Sequence, residues 1–345
     1  MKKLFVFAAS AMLGFASCAD NEVVYDDATP QEIGLFPVAN TMTRTAIADE
    51  TFSHGNMAVA AYLAAGSTTA GNYFGKTIFS GSEDAYVGAQ YWPIQTTTLN
   101  FLAVAPETED QVTSEFDTTT PASEVVVTVT NNHQNQNDVM YAAAQGTKTV
   151  NATPGPVGMV FKHALAWVNF AFKKGDNTDN YTITINSIKL QGATYDGELT
   201  VTLDEYASIT SIDSDDAVIN WDFNNIDPVD DVTVPYGNID NSTETLELNE
   251  DDFGTYGDGL LVAPVTTSAT SFVINYTVAA ETGETHTYEY TYASSEYPNG
   301  SNAQKLIWEA GKKYTYNITM SFQQITIAPE VDTWGTTTDT PVTIQ

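Results

Sequence analysis

Apolar residues in this chain recur at every second position in short runs, and almost never at helical spacing. The clearest run is 181–186. Tyr181, Ile183 and Ile185 share one face, and Thr182, Thr184 and Asn186 share the other, which is the period of a strand. Comparable runs at 57–63, 73–79, 98–105, 125–130, 198–203, 218–223, 260–264, 272–278, 286–292 and 314–322 predict further strands. Shorter apolar runs lie at 138–142 and 325–327, and the aromatic-rich run 160–172 predicts one long strand. Near the start, Ile33-Gly34-Leu35-Phe36-Pro37-Val38 predicts a short strand. Pro37 has no N–H to give to a ladder, which places that strand at a sheet edge. Clusters of Gly, Asn and Asp separate the runs at turn-like intervals. No segment combines helical period with caps, so the expected fold class is all-β.

Many short strands divided by turns predict β-sandwiches. The chain has 345 residues, enough for about two domains. Pro154-Gly155-Pro156, inside the polar stretch 151–158, reads as a linker. It divides an N-terminal sandwich, 45–155, from a C-terminal sandwich, 156–345.

The first residues follow another logic. Lys2 and Lys3 precede an apolar stretch that reaches Phe15, and Ala16-Ser17-Cys18 follows. Basic, apolar and small regions in that order make 1–17 a secretory signal. Its end resembles the lipobox of bacterial lipoproteins, with Phe15 standing where Leu is usual. There the cysteine thiol takes a diacylglycerol and becomes the mature N-terminus. Cys18 is the only cysteine, so no intrachain disulfide forms and no thiol is left for catalysis or metal binding. No apolar run reaches the roughly 20 residues of a membrane-spanning helix.

Charge narrows the partners. Forty-four acidic and 12 basic residues give a net charge of −32, which repels nucleic acid and anionic membranes. The search for chemistry finds little. His54, His133, His163 and His286 have no metal-ligand spacing, and neither a nucleophile elbow nor a phosphate-binding loop is present. Acidic pairs are too many for one to stand out. Asp213–Asp216 and Glu250–Asp252 are the places where calcium would sit, but neither follows the EF-hand pattern. The expectation is therefore no enzyme, no metal and no cofactor. Arg44 is the only arginine. It makes the Arg44–Thr45 bond a unique address for an arginine-specific protease.

Several segments together resemble the Bacteroidales-type fimbrillin family, the subunits of type V pili. They are the lipobox at Cys18, the lone Arg44, Asn137-Asp138-Val139-Met140-Tyr141-Ala142, and the stretch from Val160 to Val168. Leu261-Val262-Ala263-Pro264 and Trp308-Glu309-Ala310-Gly311-Lys312-Lys313-Tyr314-Thr315-Tyr316-Asn317-Ile318-Thr319 continue the match, and Ile325 to Trp334 closes it. The resemblance implies two tandem transthyretin-like Greek-key β-sandwich domains. It implies export as an outer-membrane lipoprotein, held by lipid on Cys18 before processing, and then assembly into an extracellular pilus that supports adhesion. An arginine-specific protease would cut after Arg44 and release a propeptide, 18–44, carrying a removable edge strand with Ile33, Leu35, Phe36 and Val38.

Loss of such a strand exposes a groove that a neighbour's strand can fill. The partners implied are other copies of the chain or related pilus subunits, the protease, and a host or bacterial surface receptor. Donor candidates alternate apolar and polar positions: Ile325 and Ile327, then Val331 and Trp334, then Val342 and Ile344. The new N-terminal segment after Arg44 is the other possible donor. A different reading is a surface glycan-binding lipoprotein, with Trp92, Trp221 and Tyr297 as aromatic platforms.

Overall fold

A computed structural model describes residues 30–39, 55–63, 72–82, 85–95, 97–117, 124–130, 136–149, 153–176, 178, 180–191, 196–203, 213–222, 232–233, 245–249, 252–264, 271–293, 308–321, 325–333 and 342–343. The strands begin with β1 (Glu32–Ala39), β2 (Met57–Leu63), β3 (Asn72–Ser82), β4 (Ala85–Tyr91), β5 (Thr97–Ala105), β6 (Val112–Phe116), β7 (Glu124–Thr130) and β8 (Met140–Lys148). Next come β9 (Val157–His163), β10 (Ala166–Lys174), β11 (Tyr181–Gln191), β12 (Asp196–Leu203), β13 (Ala217–Asp222), β14 (Val232–Thr233), β15 (Leu246–Glu247) and β16 (Gly254–Thr255). The last are β17 (Leu260–Val262), β18 (Ser271–Ala280), β19 (Thr285–Ala293), β20 (Lys312–Met320), β21 (Ile325–Thr333) and β22 (Val342–Thr343). The described residues contain no helix, hence none long and apolar enough to cross a membrane.

The fold is all-β, as the alternation predicts, but its first half is more closed than expected. Seven strands form a barrel in the order β1-β4-β3-β2-β5-β8-β9. A four-stranded sheet, β13-β12-β7-β6, covers one side of it. This cover explains why the run at 57–63 is apolar almost throughout. Met57, Val59 and Ala61 fill the barrel interior, while Ala58, Ala60 and Tyr62 pack outward into the second core. A strand buried on both faces loses its polar alternation. The other half stacks a six-stranded sheet, β16-β10-β20-β21-β22 with β17 beside β10, on a five-stranded sheet, β14-β11-β18-β19 with β15 beside β11. Phe170, Phe172, Ile185, Phe272 and Tyr316 lie in the core between them.

Three expectations need correction. The apolar run 160–172 is two strands. It breaks at Ala164–Leu165, so β9 closes the barrel while β10 enters the six-stranded sheet. The run looked continuous because the break residues are themselves fully buried. β4 and β6 were not anticipated. β6 hides a polar residue, Ser114, which bonds the Glu107 carboxylate at 2.6 Å. Finally, β1 is not an edge strand, for the reasons below. Pairing also runs across residue 155, since β12 lies antiparallel to β7 from Asp196↔Thr130 to Thr202↔Glu124.

Candidate functional site

β1 bridges two strands that do not pair with each other. Its first half runs antiparallel to β4 (Glu32↔Tyr91, Gly34↔Val87, Leu35↔Tyr86). Its second half runs parallel to β9, from Leu35↔Val157 to Ala39↔Phe161. Leu35 is the only residue paired on both sides. Pro37 falls after the last rung with β4, where one flank carries no ladder. A proline therefore sits inside a barrel strand without wasting a hydrogen bond. Ile33 and Leu35 are fully buried in the barrel core, and Pro37 is buried as well. Phe36 points outward and is 39% exposed. Side chains at alternate positions thus enter the barrel as knobs. Val38 pairs with Val160 through its backbone.

The start of β1 is tied down by polar contacts. The Trp92 amide donates to the Gln31 carbonyl at 2.8 Å, and Gln31 Nε2 donates to Thr153 Oγ1 at 3.3 Å. The Ala89 amide donates to the Glu32 carboxylate at 3.1 Å. These partners, and the slot walls Tyr86 and Val157, escaped the sequence reading. Nothing local signals them: Tyr86 lies between the apolar Ala85 and Val87, with no polar alternation.

The donor candidates lie at the far end of the chain. β21 pairs antiparallel with β20 over nine rungs, from Lys312↔Thr333 to Met320↔Ile325. Ile325, Ile327 and Val331 are partly buried against the second-half core. β22 is held to β21 by two rungs, Glu330↔Thr343 and Val331↔Val342. Trp334 and Ile344 lie outside the described residues, as do Cys18, Arg44 and Thr45.

The other motifs meet at the Ala164–Leu165 corner. Asp138 contacts His163 Nδ1 at 2.9 Å, and the Ala164 amide donates to the Val139 carbonyl at 2.8 Å. The Gly311 amide donates to the Leu165 carbonyl at 2.8 Å. Trp167 Nε1 donates to the Asp258 carbonyl at 2.8 Å, and Lys313 Nζ lies 4.1 Å from the Trp167 ring centroid. The Gln136 side chain acts as a piece of strand edge, accepting from the Leu261 amide at 2.6 Å and donating to the Gly259 carbonyl at 3.3 Å. Trp308 is fully buried and donates to Tyr316 Oη at 3.0 Å. The bonds of Gln136, Asp138 and Val139 join the two halves of the chain.

No group of described residues has the makings of a metal site. Glu250 and Asp251 lie outside them. Ser214 is buried and bonds the Ala143 amide at 3.0 Å, fixing the acidic turn against β8. Two of the three expected aromatic platforms, Trp92 and Trp221, are turned towards cores. Trp92 is 4% exposed within the barrel core, and Trp221 is partly buried with Nε1 bonded to the Ala164 carbonyl at 3.1 Å. Tyr297 lies outside the described residues.

Several solved structures are similar to this chain. A fimbrial protein from Bacteroides vulgatus superposes with a TM-score of 0.60 at 16% identity, covering 88% of this chain and 99% of that one. A fimbrial assembly protein from Parabacteroides distasonis gives 0.42 at 12% identity, covering 88% and 96%. The fimbrial anchor protein from Porphyromonas gingivalis gives 0.33 at 8% identity, covering 89% and 98%. No curated protein matches the sequence. The family described as fimbrillin-like matches residues 43–334, which is most of the chain, and the chain belongs to that family.

Proposed function

We propose that this chain is a structural subunit of a cell-surface pilus and polymerises by exchanging the strand that fills the β1 slot. One observation carries the reading. Glu32-Ile33-Gly34-Leu35-Phe36-Pro37 in the slot has a counterpart in Gln324-Ile325-Thr326-Ile327-Ala328-Pro329 near the C-terminus. Position by position, an acceptor side chain is followed by branched apolar residues two apart and then by proline. A neighbour's C-terminal segment therefore presents the knobs the slot receives. Val342 and Ile344 repeat the two-residue spacing and form the second donor candidate.

The remaining parts fit this role. The family match begins at residue 43, so β1 lies ahead of it and Arg44 at its border. Cleavage between Arg44 and Thr45 frees β1 from the barrel. Burying Ile33 and Leu35 stabilises the precursor by about 3–6 kcal/mol, and a donor strand that refills both pockets recovers a similar amount before ordering costs. Lipid on Cys18 holds the precursor at the outer membrane until that cut. The two halves, 45–155 and 156–345, are transthyretin-like domains, with β9 and the β12–β13 hairpin lent back to the first. The role is structural and adhesive, not enzymatic. The test is Arg44→Ala. It is expected to accumulate an intact lipidated monomer and yield no fibres, and fibres at the normal level would overturn the reading.

A further inference from the structure

β4 loses one of its two partners halfway along its length: Tyr86 and Val87 pair with both β3 and β1. Its first residues pair with β3 (Ser82↔Ala85, Gly81↔Tyr86, Ser80↔Val87), and there the β3–β4 ladder stops. Beyond it the only described main-chain rung is Tyr91 with Glu32 of β1. The step from Gly34↔Val87 to Glu32↔Tyr91 advances two residues along β1 and four along β4, so Gly88, Ala89 and Gln90 bulge opposite Ile33. Ala89 has φ 53°, the left-handed region that costs an L-residue with a Cβ. The Glu32 carboxylate takes its amide hydrogen. Continuing the β3–β4 register would put Phe79 opposite Gly88, Ile78 opposite Ala89 and Thr77 opposite Gln90. One side-chain bond already joins residues that this register would pair, and a second ties β4 to β3 outside it. Gln90 Nε2 donates to Thr77 Oγ1 at 3.2 Å, and Tyr73 Oη donates to the Tyr91 carbonyl at 2.6 Å.

We propose that β1 is a latch on β4: it holds Gly88–Gln90 in the strained bulge, off the β3 ladder although Gly88 already lies against Phe79 and the Ile78 carbonyl, and its departure lets this segment complete the ladder with β3 in the register 79↔88, 78↔89, 77↔90. Closure widens the vacated slot at the end where Gln31 met Trp92. This is the end from which a replacing strand threads. The inference rests on the reading of β1 as removable. Its mechanics need only that β1 be absent. The left-handed residue also makes the bulge self-releasing. Once Glu32 leaves, the left-handed cost at Ala89 is no longer offset by its cap.

Hydrogen exchange read by peptide mass spectrometry on the full chain decides it. One sample is cut at Arg44 in vitro by an arginine-specific protease and freed of the 1–44 peptide. A second is uncut Ile33→Asp/Leu35→Asp, whose carboxylates expel β1 without any cut. Amides of β2 and β5 report whether each sample keeps its barrel, and the sample that does is the one read. With β1 gone, peptides covering 88–91 are expected to stay protected, and those covering 76–79 to exchange roughly tenfold more slowly than in the intact chain. Unprotected 88–91 beside protected β2 and β5 would overturn the latch. Ala89→Gly removes the left-handed cost and is expected to slow release of the cut peptide several-fold. An unchanged release rate would also overturn it. If the protein proves not to be cut or polymerised in cells, the pilus reading fails, while the uncut variant still decides the latch.

Discussion

Leu35 stands opposite Tyr86 in the last rung that β4 offers to β1, and both side chains are buried in the barrel. One residue later the strand has a ladder on one side only. β1 is thus half built in and half laid along a single neighbour. It stabilises the barrel through a few side chains, with little main-chain commitment on its β4 flank.

That asymmetry sets the first prediction. Leu35→Ala opens a cavity in a fully buried site and is expected to lower precursor stability by about 2–5 kcal/mol. Phe36→Ala, on the outward face, should cost under about 1 kcal/mol. Urea denaturation of the two variants measures both. Equal losses would mean that β1 sits in the barrel one residue out of the stated register.

Donation from the C-terminus gives the second. Ile327 is only partly buried against its own core, so Ile327→Asp should leave a folded, cleaved subunit. Its donor strand would carry a charge into the apolar slot and fibres should not form. The same subunit keeps an intact slot, so it should still bind one wild-type donor. Normal fibre yield from Ile327→Asp would place the donor elsewhere, chiefly in the segment that follows Arg44.

A third concerns alkaline pH. Burial raises the phenol of Tyr314 to about 12, against a smaller lowering from its hydrogen bond with the Glu309 amide. Burial also raises Tyr141 and Tyr276. A raised phenol pKa means that the folded state prefers the neutral form. Its contribution to stability is complete below the unfolded value of about 10 and is lost as pH climbs from there towards 12. The Glu309 amide donates to Tyr314 Oη at 2.8 Å. Tyr314→Phe should therefore cost about 1 kcal/mol at neutral pH and make the fall above pH 10 shallower. A fall of unchanged steepness would show that this phenol is not held neutral by its burial.

The sequence conveyed the fold class well because alternation survives wherever one face meets a core and the other meets water, as at Ile183 and Ile185. It conveyed less where a strand is covered on both sides. The 160–172 run hid a corner, since Ala164 and Leu165 are as apolar as the strands they divide. It also concealed the closed barrel. Pro37 signalled a missing ladder correctly, but a strand that changes partners midway meets that condition without lying at an edge. The knobs Ile33 and Leu35 were legible as apolar alternates. The Glu32–Ala89 contact was not, because it joins residues 57 positions apart through one carboxylate. Nothing in a local pattern marks such a pair. The motif around Trp308 was legible only as a resemblance; its physical sense comes from the corner at Leu165, where its Gly311 amide docks.

The central claim is that the fibre contains this chain without β1. The N-terminal residue of subunits stripped from purified surface fibres tests it most directly. The account predicts Thr45, with no peptide spanning 32–39 recovered from the washed fibre. Subunits that begin at Cys18 and retain Glu32–Ala39 within the fibre would contradict it.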